Sequence, residues 1–232
     1  MEIHTSHVAL GMLAIYARNQ EDQDWSERSG QQKVGQAHHS LMTDEQAMWR
    51  VQMQDDHVAF ARLLERWQGP IRNLCARMTG DVHRGEDIAQ EAFARVFAKR
   101  KEFRPEAKFS TWLWRIALNL CYDELRRRTR RNECSLSAER SDEEVSAEKL
   151  SEEPAPDQRL VSGEECELVR QALVHLPEIQ RAALVLRYCD GLKLREIAEI
   201  LQIPETTAAS RIAAGLSQIT RVLEPQLGKK TN

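Results

Sequence analysis

Apolar residues recur at three-and-four spacing from Phe60 onward. Phe60, Leu63, Leu64, Trp67, Ile71, Leu74, Cys75 and Met78 share one face of a helix that starts near Asp55. Gly80-Asp81 ends that pattern. Gly69-Pro70 is expected to kink or divide it, because proline carries no amide hydrogen. A second run places Ile88, Ala92, Phe93, Val96 and Phe97 on an apolar side, and Asp87, Gln90 and Glu91 on the opposite one. Phe103–Pro105 interrupts it. A third helix is expected over about Ser110–Arg128, with Phe109, Leu113, Ile116, Ala117 and Leu120 as its stripe and Ser110 as its cap.

Residues 132–163 lose all periodicity and are rich in Ser, Glu and Pro, including Pro154 and Pro156. Such a stretch cannot bury enough apolar area to offset its ordering entropy, so it reads as a flexible linker. Periodicity returns near Glu164. Leu168, Ala172, Leu173 and Leu176 form one helix ended by Pro177, and Gln180–Tyr188 forms another, closed by Asp190-Gly191. Leu194–Leu201 and Thr206–Leu223 then flank a short turn with a buried Ile203, the layout of a helix-turn-helix; on pattern alone a generic helical hairpin is the alternative. Pro204-Glu205 suits the first turn of the last helix.

Residues 1–41 show little order. Either they form a disordered tail, or the true start lies downstream, at Met42 or Met48. His4, His7, His38 and His39 lack cysteine or carboxylate at ligand spacing, so a solvated tail is the simpler reading. The expected division is 1–41 as an extension, 42–131 and 164–224 as folded modules, 132–163 as linker and 225–232 as tail. The fold class is all-α: two small helical domains joined by a flexible acidic linker.

Composition supports helices, with only 10 Gly and 7 Pro in 232 residues. No run approaches the roughly 18 apolar residues of a membrane span. Val8–Tyr16 lacks the basic flank of a signal peptide, so a cytoplasmic location and no membrane insertion are expected. The five cysteines are odd in number, widely spaced and without a C-x-x-C pair, an argument against disulfides and structural zinc. Net charge is −3, yet it is sorted along the chain. Arg100–Arg131 carries ten Lys/Arg against four acids, and Glu133–Glu167 carries twelve acids against three bases. A local cationic surface beside an acidic tether is the pattern to explain.

The third helix carries the most chemistry. Trp112, Trp114, Arg115, Asn119, Tyr122 and Arg126 cannot all join its apolar stripe, so several lie on exposed sides beside the Arg126–Arg131 cluster. Aromatic rings stack on unpaired bases, worth about 1–3 kcal/mol per base, and arginines neutralise phosphates. Together they suit a surface that captures single-stranded or melting DNA. Alternatively both tryptophans are core and the arginines solvate a helix end, where cations are favoured anyway. In the helix-turn-helix, Glu205, Thr206, Thr207, Ala209, Ser210 and Arg211 would enter the major groove.

Several motifs resemble a known family. Asp87-Ile-Ala-Gln-Glu-Ala-Phe93, Phe103-Arg-Pro, Phe109-Ser-Thr-Trp-Leu-Trp-Arg-Ile-Ala-Leu-Asn-Leu120 and Asp123-Glu-Leu-Arg-Arg127 resemble region 2 of the extracytoplasmic-function sigma factors. Leu176-Pro177, Gln180-Arg181, Leu186-Arg-Tyr188, Gly191-Leu192, Glu196-Ile-Ala-Glu-Ile-Leu201 and Ser210-Arg211 resemble their region 4. The likeness spans about residues 55–131 and 164–224. It implies a region 2 helical bundle and a region 4 helix-turn-helix in a subunit that confers promoter specificity on RNA polymerase. Asp87, Gln90, Glu91 and Phe93 would then bind the clamp helices of the polymerase largest subunit. Phe103, Lys108, Trp112, Arg115, Asn119, Tyr122, Arg126 and Arg127 would melt and hold the −10 element. Glu205, Thr206, Thr207, Ala209, Ser210 and Arg211 would read the −35 element, with region 4 also docking on the flap of the second-largest subunit. The acidic linker resembles the segment threaded toward the RNA exit channel. An anti-sigma factor is a further implied partner.

Two departures bear on that reading. Ala209, Ala213 and Ala214 stand where the family often has cations or polar side chains, and Lys193 where a Ser or Thr usually caps a helix. Fewer cations predict weaker phosphate contact, a shallower salt dependence and greater reliance on the −10 contacts. No phosphate-binding loop, nucleophile elbow or metal cluster is legible, so no enzymatic activity and no cofactor are expected. A helix-turn-helix repressor or activator is the main rival, but it gives no reason for Trp112, Trp114 and the arginine cluster. A module that sequesters polymerase without using promoters is a third reading, left open by the alanine-rich recognition helix.

Overall fold

The computed structural model describes residues 42–104, 106–138 and 160–227, and every regular element among them is helical. Helix α1, Asp44–Gln54, opens on a reciprocal cap in which Thr43 accepts from the Gln46 amide and the Gln46 side chain accepts from the Thr43 amide. The apolar periodicity starts too late to predict this helix. Only Ala47, Met48 and Val51 turn inward, while Trp49 and Met53 stay exposed. Helix α2, His57–Thr79, is capped by Asp56, whose carboxylate accepts from the amides of Val58 and Ala59. It runs through Pro70 without dividing. Leu63 before the proline and Ile71 and Leu74 after it are all buried, and that packing outweighs one lost hydrogen bond.

Gly80 ends α2 in the left-handed region at φ 75°, and Asp81 starts helix α3, Val82–Ala98. A Cβ at Gly85 would lie 2.5 Å from the Ala76 main-chain nitrogen, so only glycine lets α3 approach α2 this closely. A short turn of 3-10 helix at Arg100–Glu102 leads toward helix α4, Phe109–Ala138. The Lys108 carbonyl accepts from the Trp112 amide, so the helix begins at Phe109, one residue earlier than expected, and Ser110 lies inside it rather than capping it. Helix α4 also continues seven residues into the stretch read as linker, and helix α5, Leu160–Val174, begins before its end. The linker stretch 139–159 and the tail 1–41 lie outside the described residues.

Helix α6, Glu178–Leu184, passes into a wider π turn at Val185–Cys189. Helix α7, Leu194–Leu201, has the bounds its periodicity predicts. Gln202 turns the chain at φ 55°, and helix α8, Glu205–Leu227, follows. Ile203 is half-buried rather than buried.

Both modules contribute to one continuous core. The C-terminal end of α2 meets the second module directly. Arg77 pairs with Asp190 at 3.5 Å, with both side chains buried. Arg181, 4 % exposed, donates to the carbonyls of Met78, Val174 and Leu176, and so caps the ends of two helices at once. Burial pulls its pKa below the usual arginine value. Arg170 adds a bond of 2.6 Å to the Gly80 carbonyl. Cys75, Cys121 and Cys189 are free and buried near this seam. The hydrogen bond with Cys121, and then burial, raise the Cys75 thiol well above its ordinary pKa; burial pushes Cys189 up to about 12. All three behave as small hydrophobes.

Candidate nucleic-acid interface

Helix α4 is fixed at its start by the first module. The Glu45 carboxylate of α1 accepts from the Phe109 amide at 3.2 Å, satisfying one of the open donors of the helix N-terminus. Phe109 is fully buried, worth about 1.5–3 kcal/mol of transfer free energy, and sits at the centre of an aromatic cluster. Trp67 lies edge-on to Phe109 at 6.4 Å and to Trp114 at 6.1 Å, while Phe103 lies 6.2 Å from Phe109 and 5.4 Å from Trp112. Trp67 in turn donates from its indole to Asp44 at 3.0 Å.

This cluster sorts the aromatic residues. Trp114 and Phe103 are core, each 3 % exposed. Phe103 therefore offers no ring face to a base, which corrects its place among the expected DNA contacts: it props Trp112 from beneath. Trp112 is half-buried, packed on Phe103 and Phe109 on one side. Lys108, Asn119, Arg126 and Arg127 are exposed, and Arg115 and Tyr122 are half-buried.

Glu124, which sequence reasoning missed, organises the basic end of the helix. Its carboxylate, 14 % exposed, pairs with Arg84 of α3 at 3.2 Å, Arg131 at 3.2 Å and Arg127 at 3.9 Å. One acid thereby aligns guanidinium groups that would otherwise repel. On α3, Asp87, Gln90 and Glu91 share an exposed face, with Asp87 near Arg84 at 3.5 Å and Glu91 near Arg95 at 2.7 Å. Phe93 is 5 % exposed and belongs to the core, so it supports that face from within rather than contacting a partner.

In the second module, Glu205, Thr206, Ala209 and Ser210 are exposed on α8, with Thr207 and Arg211 half-buried. The Ser210 hydroxyl donates to the Thr207 carbonyl at 2.9 Å. Lys193 supplies no side-chain cap for α7. Instead Glu196 accepts from the Lys193 amide at 3.0 Å, and that bond holds its carboxyl below the usual range.

The two sets of expected DNA contacts meet. A cleft of about 170 Å³ is lined by Arg115, Asn119, Tyr122 and Arg126 of α4 and by Gln202 and Arg211 of the helix-turn-helix. Arg115 donates through Nε to the Glu199 carbonyl at 3.2 Å, and Lys108 lies 3.5 Å from Glu196. Tyr122 is pushed up to about 12 by burial, against the opposing pull of the Arg211 charge.

Comparison with known proteins matches each module to a family model. Residues 63–131 match Sigma-70 region 2, and residues 166–219 match Sigma-70, region 4. The chain is 38 % identical over 171 residues to the ECF RNA polymerase sigma factor SigW of Bacillus subtilis, covering 72 % of this chain and 90 % of that protein. It is 34 % identical over 185 residues to the RNA polymerase sigma-H factor of Pseudomonas aeruginosa, covering 79 % and 95 %. To the ECF RNA polymerase sigma-E factor of Escherichia coli K12 it is 34 % identical over 187 residues, covering 79 % and 96 %. Two solved structures share the fold at 21 % identity. CnrH in complex with the cytosolic domain of CnrY superposes at TM-score 0.57, covering 78 % of this chain and 97 % of that one. The sigma factor RpoE of Bartonella quintana, in complex with the anti-sigma factor NepR, superposes at 0.55, covering 71 % and 96 %. A repressor or activator reading accounts for the second module alone and leaves the region 2 match unexplained.

Proposed function

The chain belongs to the extracytoplasmic-function sigma factors of the sigma-70 family, and on that premise we propose how its residues divide the work of promoter recognition and transcription initiation. Helix α4 melts and holds the −10 element. Trp112 stacks on an unpaired base, Asn119 hydrogen-bonds a base edge, and Lys108, Arg126 and Arg127 neutralise phosphates. The observation that carries this reading is the pairing of Trp112 with the buried cluster beneath it. Phe103 and Phe109 hold the indole in place before any base arrives, so stacking costs little further ordering.

The exposed Asp87, Gln90 and Glu91 face of α3 docks on basic clamp helices of the polymerase largest subunit, and region 4 docks on the flap of the second-largest. Glu205, Thr206, Thr207, Ala209, Ser210 and Arg211 form the −35 reader. Arg211 is the sole cation among those six, so phosphate contact there is thin and promoter choice leans on the −10 element. The protein acts in the cytoplasm, and no described helix is long and apolar enough to cross a membrane. An anti-sigma factor is a fitting regulator, since a relative of the same fold is solved with one. Transcription by core polymerase on a promoter library tests the whole assignment. Initiation from a shared −35/−10 motif only when the chain is present is the expected result; binding without initiation contradicts it.

A further inference from the structure

We propose that Glu124 is a positioning residue for DNA: it sets Arg84 of α3 beside Arg127 and Arg131 of α4, as one grip on the duplex backbone bordering the opened −10 segment. This rests on the assignment of α4 to the −10 element above. None of Arg84, Glu124 and Arg131 belongs to the expected −10 set. The Glu124 carboxylate, 14 % exposed, meets Arg84 Nε and Arg131 Nη2 at 3.2 Å each and Arg127 Nη1 at 3.9 Å. Each arginine gives one nitrogen to the acid and keeps its other N–H donors. The three side chains are 45 %, 63 % and 59 % exposed, so those donors stay open to a phosphate. Three guanidinium charges against one carboxylate leave the grip cationic.

Crowding of like charge is the reason an acid belongs here. Arg126, Arg127, Arg128, Arg130 and Arg131 fall within six positions. Unanchored guanidinium groups at that spacing repel one another and spread over many rotamers. Glu124 stands three and seven positions before Arg127 and Arg131, on the same helix face, and draws both to one side. Arg84 joins them from the neighbouring helix. The second acid beside Arg84, Asp87 at 3.5 Å, is 67 % exposed and lies on the polymerase face. Arg126 turns away, into the cleft with the helix-turn-helix. Distance along α4 fixes what the grip holds. At about 1.5 Å per residue, Arg127 and Arg131 lie about 12 and 18 Å from Asn119. That is about three to five base-pair steps from the base Asn119 reads, past a short opened segment and on paired DNA. Phosphate contacts there set register and orientation rather than read sequence.

Charge and position make opposite predictions for Glu124→Gln. Losing an acid raises the positive charge, so bulk attraction alone would tighten promoter binding. Losing the anchor scatters the arginines and weakens it. Exposed pairs of this kind add little stability, so the fold should survive, as circular dichroism would show. Holoenzyme made with the unsubstituted chain, Glu124→Gln or Arg84→Gln is titrated over a range of salt on a duplex promoter recovered from the library transcription above. Permanganate reactivity is read on the bound DNA. Both variants are expected to bind about fivefold more weakly, with a shallower salt dependence, each lost phosphate contact lowering the slope by about 0.9. The two substitutions change net charge in opposite directions, so a shared loss is the mark of a positioned grip. Thymine reactivity per bound complex should stay unchanged, because opening belongs to Trp112 and Asn119. Glu124→Asp, which keeps the charge at shorter reach, should recover part of the affinity. The proposal is overturned if folded Glu124→Gln binds as tightly as the unsubstituted chain or tighter, or if Arg84→Gln leaves the salt slope unchanged. No initiation from any library promoter by the unsubstituted chain would sink the sigma assignment, and this proposal with it, before either variant is read.

Discussion

Arg77 of α2 and Asp190, 113 positions later, form an ion pair at 3.5 Å with side chains 3 % and 7 % exposed. A pair this buried is costly to break singly, because the survivor is left charged and desolvated. Asp190→Ala is therefore expected to lower stability by about 3–5 kcal/mol, and the double variant with Arg77→Met to recover much of that. Chemical denaturation of the two single variants and the double checks it. Additive losses would mean that the partners act independently.

Helix α1 ties the first module together at two points. Asp44 holds Arg66 and Trp67, and Glu45 caps α4 through the Phe109 amide. Deleting residues 1–41 leaves these contacts in place and is expected to preserve transcription. Deleting residues 1–47 removes them along with the Thr43 cap, and is expected to lower the melting temperature by several degrees. Paired thermal scans separate the two.

Exposed acids on α3 carry the polymerase contact in this account. Asp87→Arg with Glu91→Arg places charge on a solvated face, so the fold should survive while co-purification with core polymerase is lost. Gln90→Ala should weaken it less. Unchanged co-purification of a folded double variant moves the contact elsewhere.

The acid response has a defined sign. Glu196 is held below the ordinary carboxyl pKa chiefly by the Lys193 amide, and Glu167 chiefly by its hydrogen bond from Arg170. A carboxyl with a depressed folded value stabilises the fold above its unfolded pKa of about 4.3, and that contribution fades as pH falls through the folded value. Glu196→Gln should thus lower stability at neutrality, where that contribution is whole, and flatten the further loss below about pH 4.3. Denaturation across pH for both chains checks this.

How far the sequence reached depends on the range of the interaction. Helix α7 was legible to the residue because Ile197, Ala198 and Ile200 all turn inward within two turns. Helix α1 was missed because its inward residues are few and Trp49 and Met53 dilute the period; Thr43 with Gln46 three positions on was the signal available. Pattern also left Trp112 and Trp114 undecided, since both flank the same stripe, and the family resemblance placed Phe93 and Phe103 at partner surfaces although they are core. The seam was beyond reach. Arg77 with Asp190 and Arg115 with Glu199 join residues more than 80 positions apart, and no local period encodes which helix end meets which.

The central claim is that α4 opens promoter DNA through Trp112 and Asn119. Permanganate footprinting of unpaired thymines at the −10 element, with core polymerase and either the unsubstituted chain, Trp112→Ala or Asn119→Ala, tests it most directly. Removing the half-buried Trp112 also costs packing, so the variants are compared at a temperature where circular dichroism shows each folded. Both are expected to lose most −10 reactivity while still forming the closed complex on duplex DNA. Full thymine reactivity in both variants would contradict the account.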